Sequence, residues 1–148
     1  MTRLLWMRHG ESTWNLAGRE QGRTPHPPLT GRGRAQVADA AERLVGQGVT
    51  AIVCSPLVRA RQSADLVAAR LGLEVAEDPL LVERGAGESV DDVLERIHAF
   101  LASGPADGTL VVGHGDVIAY AHALLTGTAP TLPANAEVRA TTVPGAPS

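Results

Sequence analysis

The sequence predicts an α/β protein: a three-layer α/β/α sandwich around a mostly parallel sheet, with an antiparallel edge strand. Three observations carry that prediction. Short apolar runs alternate with longer segments whose apolar residues recur at helical spacing, the pattern of strand–crossover–strand units. The clearest strand runs are apolar throughout, as strands covered on both faces are. A length of 148 residues with 44% hydrophobic content suffices for one domain with a substantial core. Residues 1–143 are read as that domain and 144–148 as a disordered tail.

Each element has a local reason. Arg3–Arg8 is an apolar strand, and Thr13–Gly18 a short helical turn. Glu20–Leu29 is a loop, because Gly22, Pro25, Pro27 and Pro28 forbid regular structure. Thr30 is a good N-cap for a helix to about Gly46, with Val37, Ala38, Ala41, Leu44 and Val45 apolar. Thr50–Cys54 is a buried strand rich in β-branched residues. Ser55-Pro56 reads as an N-cap followed by proline at the first helical position, opening a helix to about Leu71. Leu73–Ala76 is a weaker strand, Asp78–Gly87 a loop, and Ser89 or Glu88 starts a helix through about Ser103. Thr109–Gly113 is a strand, Asp116–Leu125 a helix, and Asn135–Val143 an edge strand.

Composition narrows the function. The formal net charge of -3 gives no support for nucleic acid as a partner. All 13 basic residues are arginine, which excludes Schiff-base lysine chemistry and a Walker-type phosphate loop. A single cysteine, Cys54, allows neither an internal disulfide nor a cysteine cluster for zinc. Met1–Trp6 is too short an apolar run for a signal peptide, and no stretch approaches the roughly 20 apolar residues of a membrane span. The expectation is a cytoplasmic protein that engages neither membrane nor nucleic acid.

The polar residues fall at strand ends. Strand 1 delivers Arg8 and His9, the next strand Ser55 with Arg59 beyond it, the third a loop with Glu83 and Arg84, and the fourth His114. In a parallel sheet these junctions share one edge, where ligands bind. Two arginines and a protonated histidine suit a phosphate dianion, since guanidinium forks make bidentate charge-assisted bonds. A second, neutral histidine can attack phosphorus, and a carboxylic acid can protonate the leaving oxygen.

Leu5-Trp6-Met7-Arg8-His9-Gly10-Glu11-Ser12-Thr13-Trp14-Asn15 resembles the signature of the histidine phosphatase superfamily, in its phosphoglycerate mutase-like branch. Pro28-Leu29-Thr30 through Gly33, Ser55 through Ala64, and Val111-Val112-Gly113-His114-Gly115 resemble its further motifs in the same order. The resemblance implies that His9 is the nucleophile, that Arg8, Arg59 and His114 hold the phosphate, and that Asn15 lies near it. It implies that Glu83 is the acid, and that no metal or organic cofactor is needed.

Two departures matter. Glu83 and the "GES" at Gly87-Glu88-Ser89 are almost adjacent, whereas typical members place several tens of residues between them. The segment that covers the site is therefore expected to be missing, leaving an open mouth, and Glu88 becomes a rival acid. In the loop after Gly22, His26 stands where aspartate is usual. Gly22, Arg23, His26, Arg84 and Glu88 are candidate residues of the mouth. The expected reaction is phosphomonoester hydrolysis through a phosphohistidine on His9, with a small phosphorylated metabolite or a phosphoprotein as substrate. Protein phosphohistidine hydrolysis, mutase-type transfer and a non-catalytic phosphate-binding module are the alternatives.

Overall fold

The protein is described from a computed structural model covering residues 1–19 and 21–144. In chain order the elements are β1 (Thr2–Arg8), α1 (Thr13–Leu16), α2 (Gly31–Leu44), β2 (Ala51–Cys54), α3 (Val58–Leu71) and β3 (Val75–Glu77). A single 3-10 turn, Pro79–Leu81, follows, then α4 (Val90–Ala102), β4 (Thr109–Gly113), α5 (Gly115–Thr126) and β5 (Val138–Val143). Of the tail expected at 144–148, all but Pro144 lies outside the described residues.

The five strands form one sheet in the order β3-β2-β4-β1-β5. β1, β2, β3 and β4 run parallel, and β5 pairs antiparallel with β1, so the edge strand falls where it was expected. Side chains alternate across the two faces. Leu5 and Met7 of β1, with Leu110 and Val112 of β4, pack against Val37, Ala41 and Leu44 of α2 and Val67 of α3. Leu4, Trp6 and Val111 face the other way, against Val93, Ile97 and Phe100 of α4 and Val117 and Ile118 of α5. Both faces are thus covered, which explains the unbroken apolar runs. Trp6 meets Phe100 edge-on, and its indole N–H donates to Thr141 Oγ1 at 2.8 Å.

Capping follows the sequence at two helices. Thr30 Oγ1 accepts from Gly33 N, and Ser89 and Asp92 form a reciprocal capping box at α4. The third expected cap is corrected. α3 begins at Val58 with Leu57 at its N-cap, so Pro56 lies outside the helix. The Ser55 hydroxyl accepts from Leu57 N at 3.3 Å and also lies 2.8 Å from His114 Nε2. One hydroxyl thus serves a local turn and a tertiary contact together.

Smaller boundaries also move. α2 stops at Leu44, β3 starts two residues later than expected and ends one later, and the loop after Asp78 contains the 3-10 turn. β5 starts only at Val138. Ahead of it Ala136, buried, holds a positive φ of 60°. That strained conformation persists because its N–H reaches the carbonyls of Arg8 (2.9 Å) and His9 (3.2 Å).

Candidate active site

β1 and β4 are the central neighbours of the sheet, with Arg8 opposite Gly113 in register. His9 and His114 therefore leave adjacent strand ends, and their rings meet edge-on with centroids 5.4 Å apart. Both are buried. His9 Nδ1 lies 2.7 Å from the Gly10 carbonyl, which can only accept, so Nδ1 carries the proton and Nε2 keeps its lone pair. Burial, then the charges of Arg59 and Arg8, hold the His9 imidazole down to about 3 despite the Gly10 bond. His114 is likewise held well below the usual range, by burial first and then by His9, Arg59 and Arg8. Both rings are neutral at pH 7.

The loop after His9 is shaped by close backbone approach. A side-chain carbon on Gly33 would overlap the Glu11 carbonyl oxygen, and one on Gly10 would sit 2.5 Å from the Gly33 oxygen. The start of α2 thus presses directly on the Arg8–Ser12 turn. Glu11 serves this junction: Thr30 N and Oγ1 donate to its backbone and side-chain oxygens, and its own N–H donates to Gln36 Oε1.

Two guanidinium groups flank the histidines. Arg59 is completely buried, and its Nη1 and Nη2 each donate over 2.7 Å, to the carbonyls of Thr24 and Gly22. Arg8 donates from Nη1 to Pro133 O at 2.8 Å. Backbone carbonyls thereby fix both forks without neutralising them, and their other N–H groups remain for an anion. Arg8 Nε, Arg59 Nε and His114 Nδ1 are buried without a hydrogen-bond partner. Leaving such groups unsatisfied costs about 1–3 kcal/mol each, a cost that phosphate oxygens would remove.

Glu83 and Glu88 now separate. Glu83 Oε2 lies 3.8 Å from His114 Nδ1, while Oε1 accepts from Arg84 N at 2.9 Å. Burial pushes its carboxyl above the usual carboxylate range; the Arg84 N–H opposes this, and the charge of Asp116 adds to it. Glu88 is instead tied up. It accepts from Arg96 Nε (2.7 Å) and Nη2 (2.9 Å), Gly85 N (3.0 Å) and Arg23 Nη2 (3.1 Å). The Arg96 bond first, with the Gly85 bond and the Arg96 and Arg23 charges after it, outweighs partial burial and holds its carboxyl down to about 2. A permanent anion bound on all sides is a clasp and no proton donor.

The remaining expected residues divide. Gly22 and Arg84 line the cleft over the site, with Gln21, Asp116 and Leu132 beside them. Arg23 does not line this cleft; it braces the loop behind it, donating from Nε to Glu83 O at 2.9 Å. His26 is exposed and does not line this cleft. Asn15 Oδ1 accepts from Ser12 N, closing a capping box at α1. Only residues 84–89 separate Glu83 from α4, so the short link read from the sequence is a real feature of the fold.

Sequence reasoning missed several supports. Asn135 Nδ2 donates to His9 O, Ser63 Oγ accepts from Gly10 N, and Leu132 packs over Gly115 while 61% exposed at the rim. Residues 127–134 carry no element predicted from sequence, and Asn135 reads there as the start of the edge strand, so nothing local marks them as supports. Among the described residues no group of three His, Cys, Asp or Glu is placed to hold a metal ion. No described helix is long and apolar enough to cross a membrane.

Comparison with known proteins agrees with this geometry. A probable phosphoglycerate mutase GpmB of Serratia proteamaculans is 35% identical over 120 residues, covering 76% of this chain and 55% of that protein. A probable phosphoglycerate mutase GpmB of Yersinia pestis is 40% identical over 87 residues, covering 59% of this chain and 40% of its own length. The chain thus spans about half the length of the curated relatives it matches. A mycobacterial glucosyl-3-phosphoglycerate phosphatase solved with VO3 superposes with a TM-score of 0.82 at 27% identity, over 95% of this chain and 90% of that one. A putative alpha-ribazole-5'-P phosphatase from Escherichia coli gives 0.83 at 26%, over 95% and 90%. The family model of the histidine phosphatase superfamily, branch 1, matches residues 4–88, more than half of the chain. Its span takes in β1 with Arg8 and His9, Arg59 on α3, and Glu83, and the chain belongs to the histidine phosphatase superfamily.

Proposed function

We propose that the protein is a phosphomonoesterase that works through a covalent phosphohistidine on His9. The observation that carries this reading is the anchored His9 ring: Nδ1 is committed to Gly10 O, which leaves Nε2 as the nucleophile among unpaired cationic donors. Arg8, Arg59 and His114 hold the phosphate: the two guanidinium cations and the N–H of the neutral His114 ring stabilise the charge that spreads over its oxygens in transit. We assign the Ser55 hydroxyl as the donor to His114 Nε2, 2.8 Å away, which puts the ring proton on Nδ1, the side nearest Glu83.

Two balanced steps follow. His9 Nε2 bonds to phosphorus as the ester P–O bond breaks, and the departing oxygen takes the proton of Glu83. The Glu83 carboxylate then accepts a proton from water, whose oxygen bonds to phosphorus as the P–N bond breaks. Inorganic phosphate leaves and Glu83 is again protonated. The raised pKa of Glu83, caused first by its burial, suits a group that must give and retake a proton.

Hydrolysis is preferred over mutase transfer because of the short link after Glu83. A mutase must keep water from the phosphohistidine while its substrate turns over. The open mouth also supports a second reading, a phosphoprotein substrate, with exposed Leu132 as an apolar rim contact. The deciding assay is phosphate release from 4-nitrophenyl phosphate by the parent and by His9→Ala. A drop on the order of 10³-fold is expected for removal of a nucleophile; equal rates would instead indicate a phosphate-binding module.

A further inference from the structure

We propose that the turn ahead of β5, Thr131–Glu137, is a clamp that aims the nucleophile, and that Asn135 is a positioning residue for His9. The inference rests on the phosphatase reading above and adds to it the residues that keep His9 ready for attack.

The turn is tied to itself. Glu137 N donates to Ala134 O at 3.0 Å, which makes Asn135 and Ala136 the central residues of a tight turn. The Glu137 carboxylate binds it further: Oε1 accepts from Ala134 N at 3.0 Å and Oε2 from Arg139 Nε at 2.7 Å. Arg139 Nη1 in turn donates to Thr131 O at 2.7 Å. Ala136 holds its φ of 60° at the position where such turns favour glycine. Strain of this kind persists where the surroundings over-determine the backbone, and it gathers at functional sites.

What the turn grips is the end of β1. Arg8 N donates to Glu137 O at 3.2 Å, and Ala136 N reaches Arg8 O at 2.9 Å and His9 O at 3.2 Å. Arg8 Nη1 donates to Pro133 O at 2.8 Å, and Asn135 Nδ2 donates to His9 O at 3.2 Å. One short segment thereby holds a phosphate-binding guanidinium and the carbonyl of the nucleophilic residue.

That carbonyl matters for the ring. His9 O and Gly10 N belong to one planar peptide unit. Its oxygen accepts from Asn135 and Ala136, and its N–H donates to Ser63 Oγ at 3.1 Å. The next unit carries Gly10 O, and its N–H, on Glu11, donates to Gln36 Oε1 at 2.9 Å. Gly10 O is the acceptor for His9 Nδ1 at 2.7 Å, so its direction is set by these two anchored planes. Without the Asn135 amide the first plane loosens, and Gly10 O leaves the ring for part of the time. The ring proton then moves to Nε2 in a share of molecules, and a ring protonated there has no lone pair for phosphorus. The phosphate donors keep their own anchors, because Arg8 retains Pro133 O and Arg59 retains the carbonyls of Thr24 and Gly22. The loss therefore falls on the chemical step.

The test uses the full chain. Asn135→Ala removes the donor, and Asn135→Asp keeps the shape but puts an oxygen in place of Nδ2. Three quantities are measured: the first-turnover rate with 4-nitrophenyl phosphate, inhibition by inorganic phosphate, and the ring 15N spectrum of His9, assigned by its absence from His9→Ala. Both variants should slow the first turnover by about tenfold, the scale of a small misplacement of a reacting group. Phosphate inhibition should stay close to that of the parent, and the His9 ring should pass from the single Nδ1–H tautomer to a mixture. Glu137→Ala, which unties the turn from Arg8 as well, should slow turnover and weaken phosphate inhibition together. Asn135 variants with parental rates and a single His9 tautomer overturn the clamp. So do variants whose phosphate affinity falls as far as their rate, the behaviour of a purely structural strut, and so does a Glu137→Ala variant that changes neither quantity. If the parent hydrolyses 4-nitrophenyl phosphate no faster than His9→Ala, the phosphatase reading fails, and the His9 tautomer still decides whether Asn135 holds the ring. With an active parent, unchanged Asn135 variants sink the clamp alone.

Discussion

Replacing Arg96 by methionine removes the centre of the clasp behind Glu83 while keeping most of the side-chain bulk. Arg96 and Glu88 are 15% and 14% exposed, so the pair is largely shielded from water. The substitution strips two bonds from Glu88 and one each from the carbonyls of Leu80 and Val82. It leaves Glu88 with Arg23 and Gly85 as partners. Breaking a buried pair on one side costs about 3–5 kcal/mol. The surviving partners place this case at the low end, about 3 kcal/mol, which lowers Tm by about 10 °C in a chain of this size. A second consequence is kinetic, because the loop that carries Glu83 loses its anchor. Alkyl phosphates need an acid more than 4-nitrophenyl phosphate does, so the ratio of alkyl to aryl kcat/KM should fall by about tenfold. Thermal melts and parallel assays read both quantities, with Arg96→Lys as partial rescue. A Tm within 2 °C of the parent together with an unchanged ratio would refute the clasp.

Glu83→Gln should slow alkyl phosphate hydrolysis by about 10²-fold and leave aryl phosphates far less affected. In the parent, alkyl turnover should decline as pH rises through the elevated range of Glu83, and that limb should vanish in the variant; equal losses on both esters would remove Glu83 as the acid. Stability should decline on acidification, because the unfolded chain takes up protons near pH 6.5 that buried His9 refuses until about 3. The unfolded state binds more protons in that window, so stability rises with pH at about 1.4 kcal/mol per unit for each such histidine. Denaturant midpoints at pH 5 and 7 check the sign, and added phosphate should reduce the loss. Gly33→Ala forces a methyl group into the Glu11 carbonyl and should cost about 2 kcal/mol or more, with activity falling alongside; a variant as stable and active as the parent would contradict the close approach.

What the sequence made legible follows from where the relevant interactions are local. β1 and β4 are unbroken apolar runs, and Arg8, His9 and His114 stand at their ends. Thr30 and Ser89 cap helices through neighbours three residues away. Ser55 illustrates the limit: its hydroxyl does accept from Leu57 N, yet the helix starts only at Val58, and the same hydroxyl meets His114, brought near by strand pairing. Along the chain Glu83 is favoured as the acid by its Leu-Val-Glu-Arg setting, with Glu88 as a rival five positions on. Arg96 and Arg23 distinguish them, and both reach Glu88 only through the tertiary fold. Asp116 and Leu132 carried no motif at all and owe their place at the mouth to β4 and the turn before β5.

Strand order has a consequence for how activity arises in a growing chain. β4 lies between β1 and β2, although it follows both by more than fifty residues. Until it inserts, neither has its central neighbour, and His9 has no His114 opposite it. No partial catalyst precedes that event. A chain that lacks β4 can form only the β2–β3 pair of the parallel sheet, with neither His114 nor the neighbour that positions His9. Such non-local pairing folds slowly, so a ribosome stalled before Thr109 should display no phosphatase activity, however well its helices have formed.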